Sequence, residues 1–162
     1  MRMFRIIQGD VGSGKTIVAL LSSLNVIESK YQCAFMAPTE ILARQHYDLA
    51  KKIFNKTKFN IKLLTGKTDY KEKKLIAADL STGKINLIFG THSLFSSNLN
   101  FKKLGFIIID EQHKFGVKQR SELAKKGGDN CDVLLMSATP IPRTMMMSLY
   151  GDMDISKITQ KP

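Results

Sequence analysis

Short apolar runs alternate along the chain with stretches in which apolar positions return every three or four residues. The runs at 4–8, 32–37, 60–64, 86–89, 106–109 and 133–136 have the length of strands. Several are apolar throughout rather than alternating, as strands covered on both faces are. Between them, residues 17–21 open a helix, and 40–54 places Leu42, His46, Leu49 and Ile53 on one helical face. Residues 70–82 offer Leu75, Ile76 and Leu80 before Gly83, a suitable helix stop. A last helical stretch, 117–126, ends at Gly127-Gly128. This alternation predicts an α/β fold: a mostly parallel central sheet, right-handed crossovers and helices on both faces, hence three layers. Ligands of such folds bind beyond the carboxyl ends of the strands. No repeat, low-complexity tract or linker interrupts the pattern, so residues 1–162 read as a single domain.

Composition narrows the classes. With 162 residues and 43% hydrophobic content the chain can bury a real core. No apolar run approaches the ~20 residues that span a bilayer, and Gln8 and Asp10 interrupt the first apolar stretch too early for a signal peptide. A cytoplasmic protein with no membrane partner is the expectation. Cys33 and Cys131 each adjoin a predicted strand and read as reduced thiols; His46, His92 and His113 share no metal-ligand spacing with them. Lys and Arg outnumber Asp and Glu by 25 to 14, a formal charge of +11 that favours polyanionic partners. Lys51, Lys52, Lys56, Lys58 and Lys62, then Lys67, Lys71, Lys73 and Lys74, form a diffuse basic stretch without interleaved aromatics. That stretch fits a nucleic-acid surface and a solvated helix face equally well.

The first apolar run leads into Gly9-Asp10-Val11-Gly12-Ser13-Gly14-Lys15-Thr16, which fills every fixed position of the pattern G-x-x-x-x-G-K-[ST]. With a strand before it and a helix after it, successive backbone N–H groups from Gly12 to Lys15 can converge on phosphate oxygens at a positive helix end. In this pattern Lys15 reaches the β- and γ-phosphates and the Thr16 hydroxyl holds Mg²⁺. A second signal lies downstream, where the apolar run 106–109 ends in Asp110-Glu111. Acids at the tip of a buried strand are costly without a task. Asp110 can hold Mg²⁺ opposite Thr16, usually through water, and Glu111 can orient or deprotonate an attacking water. A guanine-reading Asn-Lys-x-Asp is missing, since Asn55-Lys56-Thr57-Lys58 lacks the aspartate. Small-acceptor kinases have no evident need of Glu111, so nucleotide hydrolysis coupled to motion fits best.

Asp110-Glu111-Gln112-His113 resembles motif II of the DExH branch of superfamily-two helicases. Met136-Ser137-Ala138-Thr139 resembles their motif III, and Ala37-Pro38-Thr39-Glu40 their motif Ia. The longer strings QGDVGSGKT, APTEILARQH, DEQHKFGVKQR, SATPIPRT and LYGDMDIS together resemble the RecG-type ATP-dependent DNA helicases, over nearly the whole chain. The transcription-repair coupling factors share PIPRT but usually carry DEEQ in motif II. Where Lys114 stands the family often has Arg, which keeps the charge and loses the planar fork.

The resemblance implies a RecA-like P-loop domain that uses ATP and Mg²⁺ and acts on branched or forked DNA in recombination and repair. It implies nucleotide contacts from Gly9, Asp10, Val11, Gly12, Ser13, Gly14, Lys15 and Thr16, catalysis by Lys15, Asp110 and Glu111, and metal binding by Thr16 and Asp110. Gln112 and His113 would sense the γ-phosphate, and Ser137 and Thr139 would couple the nucleotide site to the DNA groove. Thr39, Arg44, Thr91 and His92 match positions that touch the DNA backbone; Thr39 equally suits a helix N-cap. Met145-Met146-Met147 reads as adaptable packing. Helicases of this type resemble two RecA-like domains clamping ATP, with a wedge domain on branched DNA. Only eight residues precede the P-loop here, and the sequence stops soon after motif III. The expectation is therefore a single motor half, partnered by a second RecA-like domain normally in the same chain. Alone it would bind Mg-nucleotide weakly and turn it over near background. The alternative is a truncated, non-catalytic remnant that binds nucleotide, DNA or a partner.

Overall fold

Six apolar runs fold as strands within two residues of the expected bounds, and a further strand joins them. The computed structural model describes residues 3–96, 98–110, 125–150 and 153–159. Its strands are β1 (Phe4–Gly9), β2 (Gln32–Met36), β3 (Ile61–Leu64), β4 (Leu87–Gly90), β5 (Leu104–Asp110), β6 (Asp132–Ser137) and β7 (Asp154–Ile158). The helices are α1 (Lys15–Glu28), α2 (Glu40–Ile53), α3 (Tyr70–Thr82) and α4 (Arg143–Tyr150), with a 3₁₀ turn at His92–Phe95. All seven strands form one sheet in the order β3-β4-β2-β5-β6-β1-β7. Every described pair is parallel. The expected sheet is thus parallel throughout among the described strands. No described helix is long and apolar enough to cross a membrane.

Strand parity builds the two cores. All seven residues of β5 are buried. Phe106 and Ile108 pack with Ala19, Leu20 and Ile27 of α1 and Ala50 of α2. Ile107 and Ile109 face the other way, into a cluster with Ile76 and Leu80 of α3. Each fully buried side chain of this kind is worth about 1.5–3 kcal/mol of transfer free energy, so the middle of the sheet dominates stability. On α2 the most buried positions are Ala43 and Ala50, whose small side chains let the helix approach the sheet closely. The expected stripe of Leu42, His46, Leu49 and Ile53 flanks them and is only half-buried. The α3 stripe needs one correction: Ile76 and Leu80 are buried, but Leu75 is 59% exposed, because it points off the buried face. Gly83 does end α3, with φ of 81° and its N–H donating to the Leu80 carbonyl.

Buried polar groups tie the layers together. The Gln32 side chain is 4% exposed and spends its whole amide. Its Nε2 donates to the carbonyls of Leu80 and Ile85, each at 3.0 Å, while Oε1 accepts from Lys103 N–H at 3.0 Å. One side chain thus joins the start of β2 to the end of α3 and the approach to β5. Cys33 and Cys131 are free thiols buried in the two cores, as the sequence suggested. Burial pushes the Cys33 thiol well above its ordinary range, and the neighbouring Cys131 pushes the same way. Of the expected helix at 117–126, most lies outside the described residues; residues 125–127 are helical.

Candidate functional site

Because the sheet is parallel, the chain leaves every strand at the same edge, and the motifs gather there. The P-loop leaves β1 and enters α1. Gly12 and Gly14 hold φ of 80° and 87°, values that residues with a Cβ rarely adopt. Ser13 N–H donates to the Asp10 carbonyl at 3.0 Å, and Val18 N–H donates to the Gly14 carbonyl at 3.1 Å, closing the loop and starting the helix. Gly14 caps α1 with no side-chain hydrogen bond, and the first turn carries no acid. By contrast Thr39 Oγ1 accepts from Leu42 N–H on α2, and Asp69 Oδ1 accepts from Glu72 N–H on α3. Among the described residues the first-turn N–H groups of α1 have no side-chain acceptor, and they form the positive end that an anion needs. The Lys15 ammonium folds across the loop and donates to the carbonyls of Gly9 at 2.5 Å and Asp10 at 2.8 Å, with Ser13 Oγ at 3.5 Å. These are neutral carbonyls, so a phosphate arriving in the loop offers that ammonium a stronger, charged acceptor. Val11 stands at the tip, 82% exposed, while Ser13 is buried. Thr16 is half-buried in the first turn of α1.

Asp110 closes β5 and is 9% exposed. Between it and the P-loop strand runs β6, whose register pairs Ser137 with Gln8 on one side and Met136 with Asp110 on the other. Ser137 thus stands between the P-loop and the acid, with none of its surface exposed. Its Oγ lies 3.2 Å from Thr139 Oγ1, donates to the Thr139 carbonyl at 3.0 Å and accepts from Thr139 N–H at 3.3 Å. That folds the turn after β6 onto itself. Glu111, Gln112 and His113 lie outside the described residues. Thr16 and Asp110 supply the hard oxygen donors that Mg²⁺ takes. Among the described residues no group of three or more His, Cys, Asp and Glu could hold a metal by itself. A hydroxyl and a carboxylate are donors of the kind Mg²⁺ takes alongside phosphate and water.

Expected DNA contacts fall on the other half of the same edge, beyond β2, β4 and β3. Thr39 follows β2, and its hydroxyl oxygen is engaged as the α2 cap. Arg44 is exposed on α2, without a hydrogen bond or ion pair among the described residues. Thr91 precedes the 3₁₀ turn with Oγ1 3.4 Å from Ser93 Oγ, and His92 is exposed beside it. The basic stretch divides. Lys67, Lys71, Lys73 and Lys74 sit at this edge, on the β3–α3 loop and the start of α3. Lys51 and Lys52 sit in the last turn of α2, which runs back to the opposite edge. The sheet therefore sorts one continuous basic segment into two separate surfaces.

Two features of this edge carry no sequence pattern. Glu40 Oε1 accepts from Gly66 N–H while Lys73 Nζ donates to the Gly66 carbonyl at 3.2 Å, so the peptide after β3 is held from both sides. His46 Nε2 lies 2.8 Å from Asp110 Oδ2, both side chains nearly buried. Both contacts join residues distant in sequence, and only the β2–β5 and α2–β3 neighbourhoods reveal them.

A family model described as DEAD/DEAH box helicase matches residues 3–148. Over 160 residues, 99% of this chain, the sequence is 52% identical to the ATP-dependent DNA helicase RecG of Borreliella burgdorferi, of which it covers 23%. Over 161 residues, again 99% of this chain, it is 52% identical to the ATP-dependent DNA helicase RecG of Aquifex aeolicus, of which it covers 20%. The chain thus spans about a fifth to a quarter of the curated relatives it matches. The fold superposes on a structure of RecG bound to a three-way DNA junction with a TM-score of 0.83 and 44% identity, covering 99% of this chain and 21% of that one. The helicase MrfA bound to DNA and AMPPNP shares the fold at a TM-score of 0.77 and 16% identity, over 98% of this chain and 25% of that one.

Proposed function

Since the chain belongs to the DEAD/DEAH box helicase family and is of RecG type along its length, we propose that it is the ATP-binding motor domain through which such a helicase couples ATP hydrolysis to remodelling of branched DNA. The observation that carries this reading is the order of elements along one sheet edge: P-loop, Ser137, Asp110. A nucleotide bound at the P-loop lies along that edge toward Asp110, with Ser137 buried between the two. The first-turn N–H groups of α1 and the Lys15 ammonium bind the phosphates, and Thr16 and Asp110 would hold Mg²⁺. When bound, that ion neutralises charge on the β- and γ-phosphate oxygens. Glu111 takes the proton of the attacking water, and Gln112 and His113 answer to the γ-phosphate. Ser137 and Thr139 tie that event to the turn after β6. The groups beyond β2 and β4, exposed Thr39, Arg44 and His92 with half-buried Thr91, meet the DNA backbone.

Motor action in this reading belongs to an assembly with a second RecA-like domain, because phosphoryl transfer in such engines draws on an arginine finger worth about 10³–10⁵ in rate. The 162-residue chain by itself binds Mg-ADP and turns ATP over near background. The test pairs fluorescent-ADP binding with phosphate release, with and without forked DNA. Binding lost in Lys15→Ala and turnover at background support the reading. DNA-stimulated turnover by this chain alone, abolished by Lys15→Ala, overturns the need for a second domain. Nucleotide binding that survives Lys15→Ala undiminished overturns the site.

A further inference from the structure

The contact between His46 and Asp110 is unusual in its placement. Asp110 ends the central strand β5, whereas His46 stands two turns into α2, on the far side of β2 from β6 and the P-loop. Their side chains are 13% and 11% exposed, and His46 Nε2 is 2.8 Å from Asp110 Oδ2. The imidazole is also packed in place. Its ring lies 4.8 Å from that of Phe35 on β2, and Phe35 stacks in turn on Phe89 of β4 at 5.0 Å. Tyr47 meets Phe89 edge-on at 6.1 Å. A histidine braced this way has little freedom to follow the carboxylate; the carboxylate follows the histidine.

Asp110 as a carboxylate can only accept hydrogen bonds, so Nε2 carries the proton that joins them. His46 is the hydrogen-bond partner of the Asp110 side chain among the described residues, and it engages one oxygen. Among the described residues Oδ1 has no hydrogen-bond partner, so it would be open to an ion. Without the donor, a carboxylate on a single Cβ can rotate about its last two bonds and present either oxygen in several directions.

Resting on the nucleotide-motor reading above, we infer that His46 is a positioning residue for Mg²⁺: its Nε2–H fixes the Asp110 carboxylate in the orientation that receives the ion. Groups that orient a metal-binding side chain typically change metal affinity by about 10–100-fold when removed.

Two substitutions separate this role from simple packing. His46→Phe keeps a ring against Phe35 and deletes the donor. His46→Gln deletes the ring and keeps an N–H donor at a similar reach. The readout is the Mg²⁺ concentration that half-saturates fluorescent-ADP binding to the full 162-residue chain, with affinity in EDTA and the melting temperature measured alongside. The expected result is a half-saturating Mg²⁺ concentration raised about tenfold in His46→Phe, unchanged affinity in EDTA, and a value near the unsubstituted one in His46→Gln. The reverse order, an equal loss in both, or no change in His46→Phe overturns the inference and leaves the function reading standing. If the unsubstituted chain shows no Mg²⁺-dependent nucleotide binding, the function reading falls and takes this role with it. Should His46→Phe fail to melt cooperatively, His46→Leu carries the same expectation and the same refutation.

Discussion

Replacing Gly14 with alanine separates the shape of the P-loop from its task. Gly14 sits at φ 87°, ψ 14°, the left-handed region, at the head of α1. A Cβ built there meets nothing within 4 Å. The cost to the free protein is therefore conformational alone, about 1–2 kcal/mol for an L-residue held left-handed. At about 2–4 °C per kcal/mol for a domain of 150–250 residues, Gly14→Ala should lower the melting temperature by about 2–8 °C. In the nucleotide-binding reading the same methyl would stand where the phosphate meets the first-turn N–H groups. Losing one charge-assisted hydrogen bond costs about 1.5–3 kcal/mol, or about 10–150-fold in affinity. The assay is a thermal melt and a fluorescent-ADP titration on one preparation. A modest melting shift with a large affinity loss is the expected pair. A drop well beyond 10 °C would mean that packing, not conformation, sets the cost. Undiminished affinity would refute the cradle itself.

Four further outcomes follow from groups described above. Gln32→Leu strips the Ile85 carbonyl and Lys103 N–H of their side-chain partner, while Leu80 keeps the Gly83 and Lys102 donors. At about 1–3 kcal/mol per orphaned buried group the loss is about 2–6 kcal/mol by urea denaturation, and a shift under ~0.5 kcal/mol would contradict it. The thiols should resist a disulfide reagent in the native state and react on unfolding. Because burial raises the Cys33 pKa above its ordinary value of 9.0, the folded state keeps the proton longer than the unfolded one. Its contribution is complete below that value, and stability then falls by about 1.4 kcal/mol per pH unit as pH rises beyond it; a melt showing no extra alkaline loss relative to Cys33→Ala counts against this. Thr39→Ala should cost about 1 kcal/mol through the α2 cap, and Thr39→Ser should restore it.

What the sequence made legible was local. A strand feeding a glycine-rich turn, an apolar run ending in an acid, and a glycine at a helix stop are each set by neighbours within a few residues. The P-loop, Asp110 and Gly83 accordingly stand where they were expected. β7 was not legible, because Asp-Ile-Ser-Lys-Ile has only two apolar positions. Its place comes from pairing with β1 and from Arg5, which reaches Ser156 and Asp154. Leu75 looked like core because composition cannot say which side of α3 meets the sheet. His46 looked like part of an apolar stripe, and its meeting with Asp110 depends on β2 lying beside β5, a fact of strand order.

Strand order has a consequence for how the molecule is made. β1 holds the first motif of the chain, yet its two partners are β6 and β7, so Phe4 pairs with Val133 and Arg5 with Asp154. During synthesis the P-loop can leave the ribosome with no strand on either side, and it stays so until residues beyond 137 emerge. Such sequence-distant pairing slows folding, since loop closure is costly before the contacts form. Until then β1 is an unpaired apolar edge, open to other chains. Of the seven strands, the one that comes first in sequence is among the last to gain its neighbours, and nucleotide binding becomes a signal that β1 and β6 have met.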